Sequence, residues 1–176
     1  VLKELGVTVR SAVESIGGVA ASLPSDDGEW HRAAFSELGV AREEDEPALE
    51  TRITAAAEEE TSLGGTFVVS VTGLPAGIGS FTEWDGRLDG HLAGAVMAIP
   101  TVKGVEFGDG FRCAGLPGRD VHDPIFVEDG RWARKTNHAG GIEGGMSTGQ
   151  EILIRTAMKP IPTMRKGLLS FDTVSG

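Results

Sequence analysis

A single cysteine, Cys113, occurs in 176 residues, so an internal disulfide is excluded. Free thiols fit a reducing compartment, and the chain reads as cytoplasmic. No histidine neighbours Cys113 in sequence, so it reads as a small core or strand residue rather than an activated thiol. No apolar run reaches the roughly 18 residues of a spanning helix. Nor does a basic stretch lead into an apolar one as in a secretory signal. The chain opens on Val1 and stops at Ser175-Gly176 without a capping signal, so both ends read as cuts in a longer protein. Cations are scarce in the first half: residues 1–100 hold 6 Lys+Arg against 17 Asp+Glu, and residues 101–176 hold 10 against 9. A surface for nucleic acid needs clustered cations, and this distribution argues against one. His31, His91, His122, His138 and Cys113 show no metal-ligand spacing. No Gly-x-Ser-x-Gly elbow, P-loop or dinucleotide fingerprint is present, and there is no internal repeat or low-complexity tract.

The remainder is ordinary for a soluble domain: 40% apolar residues and a mean hydropathy of −0.05. The length suits one domain over residues 1–176. Val7–Ser15 alternates as a strand. Residues 23–47 are polar and read as a surface excursion with a short helix near Trp30–Leu38, its Glu43–Glu46 run a solvated acidic face. Glu46–Thr61 has a helical stripe of Leu49, Ile53, Ala56 and Ala57. Thr66–Thr72 is a second strand, broken by Gly73-Leu74-Pro75. A helix over Asp85–Ala98 would take Asp85 as N-cap and bury Leu88, Leu92, Ala93 and Val96. Val102–Phe107 and Gly110–Ala114 read as strands about the Gly108-Asp109-Gly110 turn, and residues 115–136 as a polar hairpin or loop. Glu151–Met158 is a last alternating strand. The order predicts an α+β fold with helices covering a sheet.

Five glycines, Gly140, Gly141, Gly144, Gly145 and Gly149, fall within ten residues. Glycine costs about 0.5–1 kcal/mol in a regular element, so such a cluster marks backbone that bends sharply or approaches a ligand closely. An amide cradle for an anion and a tight structural turn both fit. After the last strand, Lys159 precedes Pro160-Ile161-Pro162-Thr163. Two prolines fix the backbone there and remove two donors, which leaves the Lys159 ammonium and the Thr163 hydroxyl as the presented groups. A solvated lysine on a rigid exit loop is the plainer alternative. Lys103, Arg112, Arg131, Arg134, Lys135, Arg155, Lys159, Arg165 and Lys166 supply cations near the glycines. His138 could donate to a phosphate or act as a general acid, or simply face solvent. His122-Asp123 is assigned no role.

Two segments carry a resemblance: GLPAGIGSFTEWDGRLDGHLAGAVMAIPTVKGVEFGDGF (Gly73–Phe111) and TNHAGGIEGGMSTGQEILIRTAMKPIPT (Thr136–Thr163). With the opening GVTVRSAVESIGGV, the chain resembles the central and C-terminal part of chorismate synthase, truncated at both ends. The resemblance implies a β-α-β sandwich fold and a homotetramer when complete. It implies a lyase of the shikimate pathway that converts 5-enolpyruvylshikimate 3-phosphate to chorismate and phosphate by anti 1,4-elimination. Reduced FMN is required without net redox change, its electrons coming from NADPH or an outside donor. The implied flavin contacts are Pro100, Thr101, Gly144, Lys159, Pro160, Ile161, Pro162 and Thr163. The family's Gly-x-Ser-His-Gly segment, a second histidine, substrate-gripping arginines and an Arg-Ser-Asp motif are absent here. Pro162 also stands where many relatives have a small polar residue. The resemblance thus places no catalytic residue in this chain and implies that it is inactive alone. A non-catalytic FMN- or phosphate-ligand-binding module derived from the enzyme is the alternative.

Overall fold

The computed structural model describes residues 1–174. Its frame is a five-stranded antiparallel sheet ordered β2-β1-β3-β9-β4. These are β1 (Thr8–Ile16), β2 (Val19–Ala20), β3 (Gly65–Thr72), β4 (Val102–Phe107) and β9 (Ile152–Met158). Three helices accompany it: α1 (Asp27–Phe35), α2 (Glu46–Glu58) and α3 (Leu88–Met97). Two small hairpins lie outside the sheet, β5 (Ile125–Glu128) with β6 (Arg131–Arg134), and β7 (Ile142–Glu143) with β8 (Met146–Ser147).

The two-residue period of the strands sorts side chains onto two faces. On one, Ala12 and Val68 pack with Trp30 and Ala33 of α1, and Leu153 flanks them. On the other, Ile152, Ile154, Val69, Val71, Val105 and Phe107 meet Leu88 and Leu92 of α3 and Ile142 of β7. Strands β3 and β9 are therefore apolar on both sides, as befits a sheet covered twice.

Residues 23–47 are not the surface excursion expected. Trp30 and Ala33 are buried against the sheet, and Val40 and Ala41 are 0% and 1% exposed. Trp30, Ala33, Val40 and Ala41 turn inward while Phe35 stays 78% exposed, and Arg10 stacks over Trp30 and pairs with Asp27 at 2.5 Å. The acidic run is also partly engaged. Glu46 accepts from Arg32 and Ser36, and Asp45 accepts the amide of Ser22. Asp85 does not cap α3, because a separate 3-10 turn, Trp84–Gly86, intervenes and the N-cap is Arg87. Gly110–Gly115 is a 3-10 turn rather than a strand. There the Glu106 carboxylate accepts the Phe111 amide and turns the chain away from β4. The hairpin within 115–136 forms as expected, with Asp129 and Gly130 at φ 50° and 74° at its tip.

Candidate functional site

The segments singled out by sequence lie at opposite ends of β9. At its C-terminal end, the Lys159 amide donates to the Thr101 carbonyl at 2.9 Å, so the residues before β4 and the lysine-proline turn form one wall. Thr101 is left-handed at φ 76°, one of three non-glycine residues so placed among those described. Its hydroxyl is buried without a hydrogen-bond partner. A cavity of about 220 Å³ opens beside it, lined by Thr101, Lys159, Ile161, Met158, Phe67 and Leu63 among others. Pro100 and residues 159–163 are exposed. Ser62 donates to the Ile161 carbonyl at 2.6 Å and holds the turn against the end of α2's exit loop. Lys159 forms no ion pair among the described residues, whereas Arg112, Arg134 and Arg155 are each paired.

At the other end, the glycine cluster resolves into turns. Gly144 and Gly145 sit at φ 58° and 84° at the tip of the β7–β8 hairpin, the pattern of a type I′ turn. Gly141 lies against β9, where a Cβ would meet the Glu151 carbonyl at 2.4 Å. The amides around it are spent internally. Gly140 and Gly141 donate to the Asn137 carbonyl and side chain, and His138 and Ala139 donate to Asp123 at 2.8 and 2.9 Å. The segment is thus a set of structural turns whose one carboxylate-filled amide pair is occupied by the protein's own Asp123. The glycine turns precede β9 and Lys159 follows it, and the seven residues of that strand are about 20 Å long at the usual rise.

Asp123 is the residue that sequence reasoning passed over. It is 6% exposed. Burial pushes its carboxyl up, but the hydrogen bonds around it, the amides of Ala139 and His138 among them, outweigh this and hold it below its usual range. Nothing in sequence marks an aspartate fifteen residues upstream as the partner of those amides. The His138 ring is pinned as well: Nδ1 lies 2.8 Å from Asp109 Oδ2, and the Asp109 amide donates to the His138 carbonyl at 2.8 Å. Two of the cations expected to gather round the glycines are tied up in ion pairs. Arg134 pairs with Glu143 at 2.6 Å, and Arg155 bridges Glu14 on β1 and Glu106 on β4 at 2.7 and 2.8 Å. His31 stacks on Phe35 within α1, and His91 is exposed on α3. No group of His, Cys, Asp and Glu suited to a metal occurs among the described residues.

Fold and site together define an α+β protein with an unpaired cation on a proline-fixed turn at one end of its sheet. The chain belongs to the chorismate synthase family, whose model matches residues 1–176. It is 46% identical over 175 residues to a chorismate synthase of Syntrophotalea carbinolica, covering 97% of this chain and 45% of that protein. With one of Alkaliphilus metalliredigens it shares 47% over 173 residues, covering 97% and 46%. A crystal structure of chorismate synthase superposes with a TM-score of 0.85 at 38% identity, over 92% of this chain and 51% of that one. The chain therefore spans about half the length of the relatives it matches. No helix among the described residues is long and apolar enough to cross a membrane.

Proposed function

We propose that these residues are the central and C-terminal part of a chorismate synthase. The whole enzyme would convert 5-enolpyruvylshikimate 3-phosphate to chorismate and phosphate by anti 1,4-elimination with reduced FMN. One observation carries the reading: the Lys159 amide bonds the Thr101 carbonyl, joining in one wall two segments that the family resemblance assigns to the flavin.

The wall suits an anionic, planar group. Lys159 is an exposed cation without a competing carboxylate, Pro160 and Pro162 hold the turn rigid, and the cavity beside Thr101 is mostly apolar. Lys159 would hold the anionic edge of the flavin and Thr163 would donate a hydroxyl. Thr101, Pro100 and Ile161 would set the depth at which the ring lies, and Gly144 would meet the ligand's far end. Bound reduced flavin supplies the electron-rich ring that the elimination needs, and the protein supplies orientation and charge. Groups outside this chain would contribute proton transfers and the grip on substrate phosphate, so the isolated chain is expected to be inactive. The complete enzyme would be a homotetramer.

The test is a titration of reduced FMN into the complete enzyme and its Lys159→Ala variant. Affinity should fall by about 1–3 kcal/mol, as for a charged hydrogen bond. An unchanged dissociation constant returns Lys159 to a solvated surface role. Phosphate release from the substrate by the 176-residue chain alone would overturn the claim that essential groups lie elsewhere.

A further inference from the structure

Between β4 and the glycine segment the chain makes a long excursion that includes the β5–β6 hairpin. Its two strands pack extensively only on each other, and neither joins the main sheet. Ile125, Val127 and Trp132 are 57%, 63% and 82% exposed. A two-stranded hairpin is marginal in water by itself, so something else must hold this one in place.

What holds it is a small set of polar contacts, all at its base. Arg134 pairs with Glu143 at 2.6 Å and donates to the Asp123 carbonyl at 3.1 Å. The Asp123 carboxylate takes the His138 and Ala139 amides, and Gln150 Nε2 donates to the Thr136 carbonyl at 2.9 Å. The tip, Asp129-Gly130, has no side-chain hydrogen bond or ion pair to the remainder of the described chain. A cavity of about 600 Å³ lies between the hairpin, through Ile125, Trp132, Ala133 and Arg134, and a floor of Ala76 and Thr148–Gln150. That volume is in the range of small-molecule sites, roughly 300–1,000 Å³.

We propose that the β5–β6 hairpin is a flap over this cavity, latched at its base by the Arg134–Glu143 ion pair and the Asp123 clamp, and that it opens independently of the main sheet. The physical basis is an imbalance. The sheet is held by apolar packing on both faces, the hairpin by a few polar contacts, so their opening free energies differ. Opening exposes the floor at Thr148–Gln150 without disturbing β3 or β9.

Hydrogen exchange of the complete enzyme that contains these residues, read by mass spectrometry, tests this. In the wild type, residues 125–134 should exchange faster than β3 and β9 but slower than unstructured peptide. Glu143→Gln should speed exchange of the hairpin and of residues 148–150 together, by about tenfold as expected for a lost charged contact, with β3 and β9 unchanged. Asp123→Asn should loosen the same two stretches and serves if Glu143→Gln does not fold. The flap is overturned if the hairpin exchanges in step with the sheet or at the unstructured rate in the wild type. It is equally overturned if neither variant changes the hairpin, or if the hairpin loosens while the floor does not.

Discussion

Thr101 is the residue where local strain and candidate function coincide. A β-branched side chain at φ 76° is an outlier, and its buried hydroxyl lacks a partner. Such conformations persist where surroundings impose them, here the Lys159 amide on the Thr101 carbonyl. Thr101→Gly should relieve the strain at some cost in unfolded-state entropy, for a net gain of about 1 kcal/mol in urea denaturation. A loss of stability would show that the left-handed conformer is not strained. Gly141 is the converse. It sits at φ 80°, and a Cβ would lie 2.4 Å from the Glu151 carbonyl, backbone that leads directly into β9, and 2.8 Å from the Ile152 Cα within it. Gly141→Ala should cost about 3 kcal/mol or more, measured as a lowered thermal midpoint. A cost under about 1 kcal/mol would mean that the turn yields easily.

At the scale of elements, α1 depends on one side chain. Trp30 is 8% exposed, packs with Ala12, Ala33 and Val68, and carries Arg10 across its ring at 5.3 Å. Trp30→Ala should cost about 3–5 kcal/mol, seen as a lower denaturant midpoint. A loss below about 1 kcal/mol would show that α1 is dispensable to the sheet. This helix also shows where sequence reading stops. Strands β1, β3, β4 and β9 and helices α2 and α3 were legible because their apolar periods are long and regular. For α1 a short helix near Trp30–Leu38 was legible, and the helix runs Asp27–Phe35; its docking on the sheet was not, because only Trp30 and Ala33 are buried on it, too few to stand out in a polar stretch. The 3-10 turn after β4 was hidden for another reason: its cause is the Glu106 carboxylate taking the Phe111 amide, a contact with no period. In the candidate site, the lysine-proline turn and the glycine cluster were legible as composition. The Thr101–Lys159 bond, the Asp123 clamp and the placement of the glycine turns and the lysine-proline turn at opposite ends of β9 are products of topology.

For the whole molecule, carboxylates set the response to acid. Glu29 is brought down to about 2 by the Ser25 amide and then Arg42. Glu46 is lowered by Arg32 and Ser36. In Glu106 and Asp123 burial pushes upward but hydrogen bonds win, and both lie below their ordinary values. Depressed carboxylates bind fewer protons folded than unfolded, so their contribution is complete above about pH 4.5 and falls as the pH drops towards 2. The thermal midpoint should therefore decline through that window, and a rise on acidification would contradict the assignment. Neutral pH poses a different problem, because burial is one-sided around α3. Leu88 and Leu92 face the sheet, yet Met97, Ile99, Phe81 and Trp84 on and beside the helix are 45%, 44%, 72% and 83% exposed. Among the described residues, nothing covers that outer side. Apolar area left in water drives association in proportion to what can be removed, and a net charge of −10 opposes it over distances that salt shortens. The chain should therefore self-associate with rising concentration, more strongly at about 0.5 M salt than at low salt, where the Debye length is several-fold longer. Met97→Glu, which puts a charge on the bare side of α3, should shift sedimentation towards the monomer. A wild-type chain that stays monomeric across concentration and salt would mean that this face is compatible with water as it stands.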